Sequence, residues 1–406
     1  MSRGVPGFVG TRLRDARAVR GLTAVSLAEI VGVSPQAISL YERGKAKPTA
    51  EVLAALSQAV NLPELFFMRP STEPTRGTVF YRSLSSATKA ARARAEQRFL
   101  WLRQIAAYAS KFVRLPESNF PNLGLPDNPL LLSSVEIEEA AEQVRRYWKM
   151  GDGPIGNMVA LLENQGAIVA RDRLGAATLD GLSEFAPDDR RAYIMIGIDK
   201  GSYARWRFDA AHELGHIVLH QTLDQTFLRR SEHFKTVEEQ AHRFAAAFLL
   251  PMAQFGEDLF AANLDTLRSM KQKWGVSIAM MIVRARHARL ISEEAERRLW
   301  VNLSRRGWRR EEPFDASTPP EEPRLLRQSF ELLLGERLQT PEDVAVDLAL
   351  PAAEIETLAG LSLGYLSGNF TAVNVREWPG RGGKPAEIDD LKTPGRVIHL
   401  PPRPRR

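Results

Sequence analysis

One stretch restricts this sequence more than any other: Arg207-Phe208-Asp209-Ala210-Ala211-His212-Glu213-Leu214-Gly215-His216-Ile217-Val218-Leu219-His220. It contains the pattern H-E-x-x-H. On a helix, His212 and His216 stand one turn apart on one face, where both imidazoles can reach the same metal ion. Glu213 is displaced about 100° around the helix, so it can face a water on the metal rather than the metal. Zinc-dependent hydrolysis needs that separation of ligands from general base. Ala210, Ala211 and Leu214 favour helix, and Ile217, Val218 and Leu219 give it an apolar surface to bury. Five of the chain's seven histidines, His212, His216, His220, His233 and His242, fall between positions 212 and 242.

A catalytic zinc site takes a third protein ligand and leaves one position for water. Residues 236–250 read as a second helix, stopped before Pro251. Glu238, Ala241, His242 and Ala245 share one of its faces, so a carboxylate there can complete a His-His-Glu set. His220 competes for the role, but it lies eight residues past His212 and is rotated roughly 80° off the ligand face. A local hydrogen bond or packing suits it better. No Gly-containing turn after His216 returns a third histidine.

The patterns R-x-R-F-x-x-A-H-E-L-G-H-x-x-L-H and E-x-x-A-x-x-F-A-x-x-x-L-x-P resemble the ImmA/IrrE family of zinc metallopeptidases. The resemblance implies that His212, His216 and Glu238 bind Zn2+ and that Glu213 is the base; Glu239 is the weaker alternative to Glu238. The family usually has Asn or Asp where this chain has His242. That departure puts an extra polar group near the metal, or a partner for Glu238. In families with this chemistry a His or Tyr stabilises the oxyanion, and His242 and His233 are the candidates here.

Residues 8–67 read as a run of short helices: Arg12 to Arg20, Ser26 to Val31, Pro35 to Glu42 and Thr49 to Val60. Ser34 suits an N-cap, Pro35 the first helical position and Gly44 the end of the third helix. The short turn at Gly32-Val33 is the helix-turn-helix signature. The pattern L-T-x-x-x-L-A-x-x-x-G-V-S-x-x-x-I-S-x-Y-E-x-G-x-x-x-P resembles the XRE/Cro helix-turn-helix family. The resemblance implies a five-helix domain whose Ser34–Glu42 helix enters the major groove of a double-stranded DNA operator. Gln36 is its best base reader, since it can bond adenine bidentately. Ser39 and Leu40 come next, Ser34 can reach a phosphate, and Lys45 and Lys47 suit phosphates. Ile38 and Tyr41 are core positions, and Glu42 ties the helix to its loop. Two departures weaken the DNA-reading surface: Ala24 stands where Gln often bonds a phosphate, and Pro35 replaces a frequent base-reading side chain. Two-fold operators call for a homodimer.

The fold class expected is mainly α with a small α+β zincin-like domain. The division read along the chain is a helix-turn-helix domain at 1–67, a basic linker with a long helix at 68–133, a metallopeptidase core at 134–257, a helical region at 258–365 and an irregular tail at 366–406. The long helix is read at 87–113. Between Arg76 and Arg114 nine Lys/Arg face one acid, Glu96, which reads equally as a phosphate-facing surface, a dimer spacer or a solvated basic face. Thr78–Tyr81 reads as a short extended segment. Ser134 is placed as the cap of a helix at 135–149, and the best strands are 166–170 and 193–198. Residues 309–323 read as a Pro/acid linker.

No cysteine is present, which excludes a disulfide scaffold and a thiolate zinc site. No apolar run approaches the ~20 residues of a membrane span, and a cytoplasmic protein is expected. The net charge of +6 permits a nucleic-acid partner. Two functions follow. The first is a DNA-binding regulator fused to a zinc endopeptidase that cleaves one regulatory protein, a repressor or antitoxin, in a stress or mobile-element response, as the resemblance implies. The alternative is a repressor or antitoxin whose peptidase-like domain is a non-catalytic sensor or partner-binding module. Glu213 favours the first, because a binding module needs no base.

Overall fold

The computed structural model describes residues 4–70, 77–81, 88–175, 179–199 and 201–367, and the backbone of 398–399. The chain is mostly helical. Its strands among these residues are β1 (Phe80–Tyr81), β2 (Val113–Arg114), β3 (Ile168–Asp172), β4 (Gly181–Ala186), β5 (Arg191–Gly197) and β6 (Ile398–His399). The chain forms two compact units: residues 1–74, 87–116 and 324–406, and residues 75–86 and 117–323. This division does not follow the linear one drawn from the sequence. No single helix among the described residues is long and apolar enough to cross a membrane.

The first unit begins with α1 (Gly10–Val19), α2 (Ala24–Val31), α3 (Pro35–Glu42) and α4 (Ala50–Val60). Thr23, Ser34 and Thr49 cap the last three by accepting from the backbone N–H of Ser26, Ala37 and Val52, each cap contributing about 1 kcal/mol. Gly32, at φ 75°, ends α2 in the left-handed region, where a glycine carries no Cβ penalty. Helices α2 and α3 meet at 111°, within the range of helix-turn-helix pairs. Leu27, Ala28, Ile38, Leu53 and Leu56 close the core beneath them. Glu42 ties α3 to α1 through a two-bond pair with Arg17, at 2.6 and 3.2 Å. After α4, a 3-10 turn at Glu64–Met68 buries Phe66 and Phe67.

The long helix, α5 (Lys89–Ala109), is not a connecting rod. Phe99, Trp101, Leu102 and Ile105 are buried, and α5 packs against α1 and against the C-terminal helices Leu325–Gly335, Pro341–Leu348 and Ala352–Ala359. Arg98 and Arg103 are buried as well, so the basic run is neither a solvated face nor a phosphate-facing one at these positions. Glu354 accepts from Arg98 at 2.5 Å and from Arg20 at 2.6 Å, so one carboxylate is shared by two guanidinium groups inside the unit. Strand β2 pairs in parallel with β6; the rest of the stretch read as an irregular tail lies, from residue 368 on, outside the described residues.

The second unit holds the sheet, in the order β1-β4-β5-β3. Strands β3 and β5 are parallel, while β4 is antiparallel to β5 and β1 antiparallel to β4. Helices α6 (Ser134–Tyr147), α7 (Met158–Asn164), α8 (Tyr203–Leu219) and α9 (Ser231–Leu249) build one core around Ile194, Ile196, Leu214, Phe244 and Phe248. The cap of α6 is Ser133, not Ser134: Ser133 and Glu136 form a reciprocal capping box, which shifts the start of α6 by one residue. Helix α9 begins at Ser231, a turn and a half before the sequence pattern placed it. Helices α10 (Met252–Asp258), α11 (Leu264–Trp274), α12 (Ile278–His287) and α13 (Glu293–Arg305) join the same core through Phe255, Leu267, Trp274, Met281 and Leu299.

The stretch 309–323 is integral to this unit rather than a linker. Buried Glu312 accepts from Lys271 Nζ at 2.8 Å and from the N–H of Ile278 and Ala279, at the start of α12. Glu321 does the same for α7, accepting from Met158 and Val159 at 2.8 and 3.2 Å. Carboxylates at helix N-termini satisfy donors that have no partner inside the helix.

Candidate functional site

Helix α8 presents His212, Glu213 and His216 with no exposure to solvent. Gly215 lets the neighbouring helix approach: a Cβ there would lie 3.1 Å from Ala241 on α9. This close crossing brings Glu238 of α9 over the two histidines. His212 Nε2 and His216 Nε2 are 3.1 Å apart, and the Glu238 oxygens lie 3.4 and 3.2 Å from them. Three atoms bonded to one tetrahedral zinc at ~2.0–2.1 Å stand about 3.3–3.4 Å from one another. The His–His distance and each imidazole's distance to the nearer Glu238 oxygen are of that size, and one ligand atom from each of the three lies within 4.8 Å of the others.

The donors fit as well. His220 ends α8, and its Nδ1 lies 3.1 Å from His216 Nδ1, while its Nε2 lies 2.9 Å from Gln240 Oε1. Gln240 Nε2 donates to the carbonyl of Pro129 at 2.6 Å. The acceptor at that end decides the rest. Since the Gln240 amide must turn its NH2 to Pro129, its oxygen receives the His220 Nε2 proton. His220 Nδ1 is then an acceptor, His216 Nδ1 carries the proton, and the His216 Nε2 lone pair points at His212 and Glu238. Burial, with His216 adjacent, pushes the His220 imidazole down to about 3, so it stays neutral as this chain of bonds requires. Burial alone would raise the Glu238 carboxyl; imidazoles carrying protons toward it would more than reverse this and hold it well below the usual carboxylate range, and with the His216 lone pair turned inward a cation has to take the place of that proton. A buried lone pair facing an anion calls for a cation.

The relay makes Gln240 and His220 positioning residues for His216, a role His220 fills in place of the ligand role it competed for. Outer partners of this kind are worth about 10–100-fold in metal affinity. Gln240→Leu is expected to weaken zinc binding by that factor in a chelator-competition titration. Affinity equal to the wild type would remove the relay.

Glu213 is held from the sheet side. Ser183 Oγ donates to Glu213 Oε2 at 2.5 Å. Two residues earlier on the same strand face, Gly181 leaves the carboxylate its space, since a Cβ there would stand 2.5 Å from Oε1. The sequence pattern missed β4, whose buried positions include Gly181, Ser183 and Glu184 rather than an apolar alternation.

His242 packs its ring 4.6 Å from that of His212 and 5.3 Å from Phe208. It lines a cleft of about 1770 Å³ with Trp206, Phe208, Met280, Trp300 and Trp308. His233 does not join it. Five residues before Glu238, it has rotated about 140° away along α9, and its ring stacks on Phe227 at 4.2 Å while Nδ1 lies 3.2 Å from the Phe227 carbonyl. Glu239 is likewise outside the His212–His216–Glu238 cluster; it lies 3.8 Å from Lys235 on the exposed side of α9.

Residues 163–286 match the family described as IrrE N-terminal-like domain, and residues 13–67 match the helix-turn-helix family. The chain joins a helix-turn-helix domain to an IrrE N-terminal-like domain. Uncharacterized HTH-type transcriptional regulators of Sinorhizobium medicae and Rhizobium meliloti are each 34% identical to it over 70 residues, which is 17% of this chain and 50% of theirs. The chain thus spans about half the length of these relatives.

In the helix-turn-helix domain, Gln36, Leu40, Lys45 and Lys47 are exposed on and just after α3, Ser39 is half-buried, and Ile38 is buried. Ser34 is the cap of α3, so its hydroxyl oxygen is engaged by Ala37 N while its own proton remains available to an acceptor. Tyr41 is half-buried, edge-on to Phe8 at 6.4 Å.

Proposed function

We propose that the chain is a DNA-binding transcription regulator whose IrrE-like domain is a zinc endopeptidase acting on a specific regulatory protein of the repressor or antitoxin kind. The observation that carries this reading is the convergence of His212, His216 and Glu238 beside a carboxylate, Glu213, that takes no part in the cluster and is held by Ser183. Bound zinc would supply a Lewis acid and a water of lowered pKa. Glu213 takes the proton of the attacking water and delivers it to the leaving amine. Ser183 and Gly181 fix the carboxylate so that it does not swing away from the water. His242, against His212 and open to the cleft, is the candidate donor to the developing oxyanion. The protein works in the cytoplasm, where an operator and a repressor are both within reach.

The test compares cellular proteins in the presence of the wild type and of Glu213→Gln. One protein should disappear only with the wild type. Identical proteomes and identical phenotypes would favour a non-catalytic sensor. For the DNA-binding half, Gln36→Ala with Lys45→Ala is expected to weaken operator binding, and Lys45→Ala alone to lower the salt slope by about one unit. Equal binding of the double variant and wild type in a gel shift at moderate salt would remove the DNA-reading role.

A further inference from the structure

The edge of β4 beside Glu213 is occupied by the chain itself. Phe80 is the cross-strand partner of Ser183, and Tyr81 that of Leu182. Directly opposed residues of antiparallel strands put their side chains on the same face. Ser183 turns toward Glu213 and Phe80 toward the same helix, where its ring stacks on His216 at 4.6 Å and 7°. A backbone in the β1 lane therefore runs across the two halves of the site, base and metal ligands. Gly77 enters the lane with its N–H donating to Glu184 Oε1 at 2.6 Å, and a Cβ there would lie 2.5 Å from the Phe185 carbonyl. Thr78 Oγ1 donates to the Leu223 carbonyl, and Val79 N to Gln225 Oε1 at 3.1 Å.

We propose that the outer edge of β4 is a lane for an extended peptide bearing an aromatic side chain, and that Gly77–Tyr81 is its resident occupant. The segment is an internal competitor: it must leave before a substrate can pair with β4 and place its own aromatic residue on His216. This rests on the peptidase reading above. Two features make the occupant detachable. Its strand is two residues long, below the length that is stable by itself. Its apolar contacts are a small separate cluster of Phe80, Leu223, Leu228 and Val237 with Phe227, while the main core of the unit closes without it.

The experiment uses the full chain carrying Glu213→Gln, so that binding is read without turnover. The probe is a fluorescein-labelled peptide of sequence Gly-Thr-Val-Phe-Tyr, followed by fluorescence anisotropy. Phe80→Ala is expected to tighten probe binding about tenfold, because a weaker competitor leaves more of the lane open. As a second variant, Tyr81→Cys with Leu182→Cys places two thiols at cross-strand partners in a chain that has no other cysteine. Its oxidised form should bind the probe at least about tenfold more weakly than the same protein reduced. Equal affinity in the oxidised and reduced forms, or no probe binding by any folded variant, overturns the proposal. A chain that binds the probe in this redox-dependent way yet cleaves no protein would remove the peptidase reading and leave the lane standing. Cleavage by the wild type alongside redox-independent probe binding would do the reverse.

Discussion

Glu213→Gln is expected to retain zinc at the wild-type level and to cleave the substrate at least about 10³-fold more slowly, the upper part of the range for a positioned general base. The amide keeps the shape of the carboxylate and can still accept from Ser183, so the fold and the three-residue cluster have no reason to change. It cannot take a proton at neutral pH. The outcome separates two roles that H-E-x-x-H confounds in the sequence: if Glu213 were needed to hold the metal, zinc and activity would fall together. Inductively coupled plasma mass spectrometry on the purified variant, paired with its cleavage rate on the protein found in the cellular comparison, reads both quantities.

The second large effect lies far from this chemistry in the sequence. Trp101→Ala on α5 is expected to destabilise the first unit by about 3–5 kcal/mol. Trp101 is 1% exposed and meets Phe66 edge-on at 6.2 Å, so truncation leaves a cavity between α5 and the helix-turn-helix elements. Urea unfolding followed by far-UV circular dichroism would show the first transition moving to lower denaturant. A shift under about 0.5 kcal/mol, the scale of a surface substitution, would mean that α5 is the exposed connecting helix its composition suggests.

The His212–His216–Glu238 cluster was legible because helix periodicity fixes which residues share a face. Spacing and a second helix narrowed the cluster to His212, His216 and a carboxylate, the family resemblance pointed to Glu238, and the helix-turn-helix was read from its caps and apolar positions together with its motif. What stayed hidden depends on partners far apart in the chain. Ser183 reads as an ordinary polar residue until β4 lies over α8, and Gly181 gains meaning only from the carboxylate it makes room for. Gln240 sits two residues from a predicted ligand, yet its role comes from Pro129, 111 residues away. Glu312 and Glu321 lie in a proline-rich acidic stretch, the composition of a linker, but cap helices α12 and α7. Arg98 and Arg103 misled in the opposite sense: a run of basic residues signals solvent only when no buried acid such as Glu354 waits for it.

On the proposed function, His212, His216 and Glu238 hold one zinc ion between them. This is read by metal analysis of the wild type, His216→Ala and Glu238→Ala after dialysis against trace zinc. One zinc per chain is expected for the wild type and near-complete loss in both variants, with each still folded by circular dichroism. Wild-type protein free of zinc, or variants that retain it in full, would contradict it.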